Sequence, residues 1–137
     1  MRNYLANYTN PMLLFGFVTS GSNFHYVDSV SVVDSSNPSV ELLDNGGFDN
    51  TSIGIPGWNE WCASTCGNNG NTSSGEQVIS YRCGLAPNQC LQAFCNGTGG
   101  IYFIGQSFSA IIGNIYNISF WYIAGSGGGN QFYVDIV

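Results

Sequence analysis

The chain has 137 residues, enough for one domain with a single sizeable core, and 44% of them are hydrophobic, which excludes general disorder. Only 7% are charged, Arg2 and Arg82 are the sole Lys or Arg residues, and the net charge is -6. Such a chain cannot neutralise a run of phosphates, which argues against nucleic acid and anionic membrane as partners, and no apolar run approaches the roughly 20 residues of a spanning helix.

Taken in chain order, runs rich in Val, Ile, Phe and Tyr alternate with Gly, Asn and Ser punctuation. They predict strands over 12–18, 24–33, 40–43, 77–82, 101–109, 115–124 and 131–137. The break at 35–39, Ser-Ser-Asn-Pro-Ser, reads as a linker between N-terminal strands (1–34) and a main body (40–137). Within 115–124, Tyr116, Ile118, Phe120 and Tyr122 share one strand face, and Asn117, Ser119, Trp121 and Ile123 share the other. The run Gly125-Ser126-Gly127-Gly128-Gly129-Asn130 reads as a hairpin loop, since neither a lysine nor a helix follows it to cradle a phosphate. No stretch carries a capped helical stripe. Tyr26-Val27-Asp28-Ser29-Val30 is echoed by Tyr133-Val134-Asp135-Ile136-Val137, which fits two strands of one sandwich better than a tandem repeat, because the flanking residues differ.

The cysteines Cys62, Cys66, Cys83, Cys90 and Cys95 lie in one Cys-rich loop, 62–95. No Cys-X2-Cys pair exists and the sole histidine, His25, is far away, so disulfides are favoured over zinc. Local bridges Cys62–Cys66 and Cys83–Cys90 would leave Cys95 over, although other pairings are possible. Asn-X-Ser/Thr acceptors occur at Asn7, Asn50, Asn71, Asn96 and Asn117. The N-terminus is not a convincing signal peptide, but disulfides and covalent N-glycans together point to an extracellular, secreted protein.

Leu42-Leu43-Asp44-Asn45-Gly46-Gly47-Phe48-Asp49, followed by Gly57-Trp58, resembles the opening of jelly-roll carbohydrate-binding modules with the galactose-binding-like fold. Gln106-Ser107-Phe108 and Tyr116-Asn117-Ile118-Ser119-Phe120-Trp121 resemble their middle strands, and Phe24-His25-Tyr26-Val27-Asp28-Ser29-Val30-Ser31-Val32 is similar to their last strand. The expected fold is therefore all-β, a jelly-roll β-sandwich. The order departs from the family, because the last strand precedes the opening turn. A circular permutation, a fragment of a tandem array, or a protomer whose residues 12–33 complete its neighbour's sandwich would each explain this. The third satisfies the backbone groups of the open edges around 115–137, and repeated head-to-tail it builds a filament. The leading expectation is an extracellular structural glycoprotein that polymerises with itself by strand exchange. The alternative is a calcium-supported carbohydrate-binding module of a tandem-repeat protein.

The resemblance implies a structural calcium near the opening turn and the last strand, with Asp28, Asp44, Asn45 and Asp49 as candidate ligands. Calcium takes six to eight oxygens, so turn carbonyls would have to contribute, and the bland reading is turn-forming Asp and Asn with no ion. Trp61 and Trp121 are candidate platforms for stacking a sugar ring, with packing as their ordinary role, while Trp58 matches a core position of the family. His25 stands alone, and Glu60 and Glu76 are two acidic residues among eight, so an enzyme is not expected.

Overall fold

The computed structural model describes residues 1–19, 23–50, 54–63, 75–79, 83, 89–95, 100–125 and 129–137. Among these the chain is all-β, with strands β1 Arg2–Leu5, β2 Met12–Val18, β3 His25–Asp34, β4 Asn37–Glu41, β5 Asn59–Ala63, β6 Gly75–Ile79, β7 Cys90–Phe94, β8 Ile101–Ser107, β9 Ile115–Ala124 and β10 Gln131–Ile136. They form two antiparallel sheets. One runs β1-β9-β3-β7-β6, with β4 on β3, and the other runs β10-β2-β8-β5. Together they make a β-sandwich.

The core lies between the sheets. β2 sends Leu13, Phe15 and Phe17 inward, all fully buried, while Met12, Leu14 and Val18 face out. β8 alternates in the same way, with Tyr102 and Ile104 buried. β9 follows the predicted phase, since Tyr116 and Ile118 are buried and join the core with Phe120 and Tyr122. Phe15 sits at the centre, its ring centroid 5.2 Å from Phe120, 5.8 Å from Phe132 and 6.0 Å from Trp58.

Residues 12–34 occupy the middle of this chain's own sheets. β2 lies between β10 and β8, and β3 lies between β9 and β7. Residues 35–39, expected as a linker, instead make a tight turn and the start of β4. The Ser36 amide (2.8 Å) and hydroxyl (2.6 Å) both donate to Asp34 Oδ1, and β4 then folds back on β3. The echoed segments lie in opposite sheets and in the same phase: Tyr26 and Tyr133 face outward, Val27 and Val134 inward.

Three strands escaped the periodicity for physical reasons. β1 is a short edge strand with only Tyr4 half-buried. β5 is an edge strand whose Asn59, Glu60, Trp61 and Cys62 are all exposed. β7 lies between β3 and β6, with Cys90, Leu91, Gln92 and Ala93 all buried, so it shows no alternation to read.

Candidate functional site

The outward face of the four-stranded sheet carries a row of aromatic rings. The register pairs Trp61 with Phe103, Phe103 with Gly16, and Gly16 with Tyr133, so one line crosses all four strands. Two glycines make room for the rings. A Cβ on Gly16 would lie 2.9 Å from Phe103 Cε1, and one on Gly105 would lie 3.0 Å from Trp61 Cη2. The Trp61 and Phe103 rings therefore lean across a neighbouring strand instead of standing off the sheet. Trp61 and Phe103 are nearly parallel, 5.6 Å between centroids and 19° between planes. Trp61 is 39% exposed and Tyr133 48% exposed. The Tyr133 hydroxyl is anchored by donating to Gln131 Oε1. Sequence reasoning picked out Trp61 but missed Phe103 and Tyr133. The readable signal was glycine inside two strands, Gly16 and Gly105, which marks a close approach.

Trp121, the other candidate platform, lies on the outward face of the six-stranded sheet, where it is covered. It packs with Phe24 and Cys83 against buried Tyr26 and Cys90. Trp58 is a core residue, 7% exposed, tilted against Phe48 at 5.6 Å.

The opening turn closes on β3. The Val30 amide donates to the Gly46 carbonyl at 2.9 Å, and a Cβ on Gly46 would fall 2.0 Å from the Val30 oxygen, so only glycine fits. Asn45 acts as a clamp. Its Nδ2 donates to the carbonyls of Asn50 (3.1 Å) and Pro56 (3.2 Å), and its Oδ1 accepts the Asn50 amide at 3.0 Å. Its backbone oxygen accepts both the Phe48 amide and Trp58 Nε1. Asp44 is tied by its backbone to Gln106, donating to Oε1 at 2.6 Å and accepting from Nε2 at 2.9 Å.

Asp28 sits at a bulge in β3, beside Ser29, which takes a positive φ of 50°. Its Oδ1 accepts the Ser29 amide at 2.6 Å, while its Oδ2 is buried without a protein partner. Burial pushes the carboxyl above its ordinary range; the Ser29 amide opposes this and the charge of nearby Asp49 adds to it. A buried carboxylate oxygen with no donor, beside a second carboxylate, is an arrangement that a cation stabilises. Among the described residues no three His, Cys, Asp or Glu side chains gather into a metal-binding group. Asp28 and Asp49 are the two carboxylates that would hold a cation there.

His25 is fully buried beside Phe17, Tyr122 and Phe132. Its Nε2 lies 2.8 Å from the Val18 carbonyl and its Nδ1 lies 2.8 Å from the Tyr122 hydroxyl. The neutral ring donates from Nε2 and accepts at Nδ1. Burial holds its pKa below the ordinary 6.5, against the Val18 bond, which raises it. Glu60, on β5, accepts the Tyr102 hydroxyl at 2.8 Å, and Glu76 lies on β6 of the opposite sheet.

Cys83 and Cys90 are joined, with Cα atoms 5.7 Å apart. The expected Cys62–Cys66 bridge is corrected: Cys62 is a free, exposed thiol, and Cys95 is disulfide-bonded to a residue outside the described ones. The two cysteines differ in setting. Cys62 is on an edge strand, whereas Cys95 is buried and held by Thr19, whose hydroxyl donates to the Cys95 carbonyl at 2.6 Å and accepts its amide at 2.9 Å. Asn7 and Asn50 are exposed, and Asn117 is half-buried on the outward face of β9. Cys66, Asn71 and Asn96 lie outside the described residues.

No protein-family model, curated protein or solved structure matches the chain.

Proposed function

We propose that the chain is an extracellular carbohydrate-binding module, a jelly-roll of galactose-binding-like topology, which binds neutral glycans on the outward face of its four-stranded sheet. The observation that carries this reading is the cross-strand aromatic row of Trp61, Phe103 and Tyr133, in which Trp61 lies over Gly105 and Phe103 over Gly16. Apolar ring faces match the C–H faces of pyranoses, and a net charge of -6 disfavours polyanionic ligands. A calcium bound there would be held by Asp28 and Asp49, with oxygens from elsewhere completing its shell, and would supply positive charge to a buried carboxylate between β3 and the opening turn.

Self-assembly by strand exchange is the lesser reading. β2 and β3 fill this chain's own sheets, and donating them would mean opening the tight β3–β4 turn. The same contacts made between copies would still give a polymer, and image reconstruction of native material tracing residues 12–33 into a neighbour would restore that reading.

Affinity electrophoresis through gels containing neutral polysaccharides tests the binding function. Retardation is expected for the wild type and for Trp121→Ala, and its loss for Trp61→Ala. No retardation by any glycan would overturn the reading. The cation is tested separately by thermal unfolding. Because the Asp28 pKa is raised in the fold, its ionised form weakens the metal-free protein as pH rises above 3.8. Asp28→Asn should therefore raise Tm in chelator at neutral pH and abolish the Tm gain that calcium gives the wild type. A wild-type Tm indifferent to calcium would contradict the cation site.

A further inference from the structure

The spacing and setting of the aromatic row say more than that a sugar can stack there. We infer that this face takes an extended, ribbon-like chain of neutral β-linked pyranoses lying across the strands, with successive rings reaching Trp61, Phe103 and Tyr133; the inference rests on the carbohydrate-binding reading above.

The row runs perpendicular to the strands, because Trp61, Phe103, Gly16 and Tyr133 are direct cross-strand partners on β5, β8, β2 and β10. Neighbouring strands are about 4.8 Å apart, close to the advance of one pyranose in an extended chain. Trp61 and Phe103, 5.6 Å apart, therefore meet adjacent sugars. Phe103 and Tyr133 are separated by the strand that carries Gly16, so Tyr133 meets a sugar two positions further on. The full row spans three to four rings, more than a monosaccharide or disaccharide covers.

Trp61 and Phe103 lean over glycines, which makes the row a surface and not a socket. A Cβ at Gly16 would meet both the Phe103 ring and the Tyr133 Cβ, the latter at 3.4 Å, so the hollow between them is no wider than a missing side chain. A surface of this shape contacts one broad face of each sugar. It suits residues whose hydroxyls are equatorial and whose linkages keep consecutive rings in one ribbon. A helically coiled chain lifts its rings away after the first contact. Charge narrows the class further. No basic residue lies in the row, and Asp135 is two positions from Tyr133 on the same outward side of β10, so a uronate or sulfated chain is repelled. A neutral chain loses nothing there.

Isothermal titration calorimetry with cellobiose, cellohexaose and maltohexaose, on the wild type and on Tyr133→Ala, tests this. Cellohexaose should bind the wild type at least about tenfold more tightly than cellobiose, and more tightly than maltohexaose. Tyr133→Ala should erase most of the advantage of cellohexaose over cellobiose. Equal affinity for cellobiose and cellohexaose, or preference for maltohexaose, would overturn the extended-ribbon inference and leave the binding function standing. Absence of heat with all three sugars, together with no retardation in any polysaccharide gel, would overturn both. The Tyr133 side chain is half exposed, so its removal does not threaten the fold, and circular dichroism of the variant verifies this.

Discussion

The outward faces of the two sheets begin from similar material and end differently. Each carries an outward-facing tryptophan, Trp121 on the six-stranded sheet and Trp61 on the four-stranded sheet. Around Trp121 the chain supplies a lid: Phe24, Tyr26 and the Cys83–Cys90 bridge pack with it. Around Trp61 it supplies Gly105, which the indole shares with the Met12 side chain as it spreads toward Phe103. The contrast teaches that an outward aromatic residue stays exposed through what its neighbours lack. Covered by side chains it adds stability; laid over glycine it stays available.

The strongest way to break the comparison is to remove what both faces share. A variant lacking residues 1–34 loses β1, β2 and β3, hence the centre of each sheet, and should be unfolded by circular dichroism and amide dispersion. A cooperative thermal transition in that variant would mean that the main body folds without them.

The tryptophans themselves come next. Trp121→Ala should cost about 2 kcal/mol in urea unfolding, below the range for fully buried tryptophans because the side chain is only half-buried. Trp61→Ala should cost less than about 1 kcal/mol, since its ring is more exposed. Equal costs would erase the distinction between a lid and a platform.

The cysteines sharpen it further. Opening the seven-residue separation of Cys83–Cys90 by Cys83→Ser should destabilise by about 2 kcal/mol on loop-closure entropy. Replacing free Cys62 by Ser should stay within about 0.5 kcal/mol. Urea midpoints under non-reducing conditions read both, and a larger loss at Cys62 would reverse the assignment of the free thiol.

The smallest effect is a pH dependence from the shared core. The folded His25 pKa lies below 6.5, so the unfolded chain binds the proton more readily. Stability attributable to this residue is therefore full above pH 6.5 and falls as the pH drops from there toward the lower folded pKa. Unfolding free energies from pH 8 to pH 5 should show that decline, reduced in His25→Gln. A rise in stability over the same interval would contradict a buried neutral imidazole.

Much of the sandwich was legible because alternation survives wherever one strand face is wet. β2 and β9 have the bounds their patterns predict, and Phe120 and Trp121 divide between the two faces as their parity requires. β7 was illegible because both its faces are buried, and β1 and β5 because edge strands need little apolar pattern. In the aromatic row, Trp61 was visible as a residue type, but its partners depend on the register of β5 on β8 and of β2 on β10, which no local pattern encodes. At the opening turn, the resemblance to jelly-roll modules grouped Asp28, Asp44, Asn45 and Asp49 together as candidate ligands. The fold separates their tasks, using Asn45 to clamp the loop and leaving one buried oxygen of Asp28 unpartnered. Spacing in sequence could not distinguish a clamp from a ligand.

The most direct measurement is amide chemical-shift mapping during titration with cellohexaose. Changes centred on Trp61, Phe103, Gly16 and Tyr133, with Tyr26 and Trp121 unmoved, are the expected result. Changes centred on the six-stranded sheet or on the turn at 44–50, with the aromatic row silent, would contradict the assignment of the binding face.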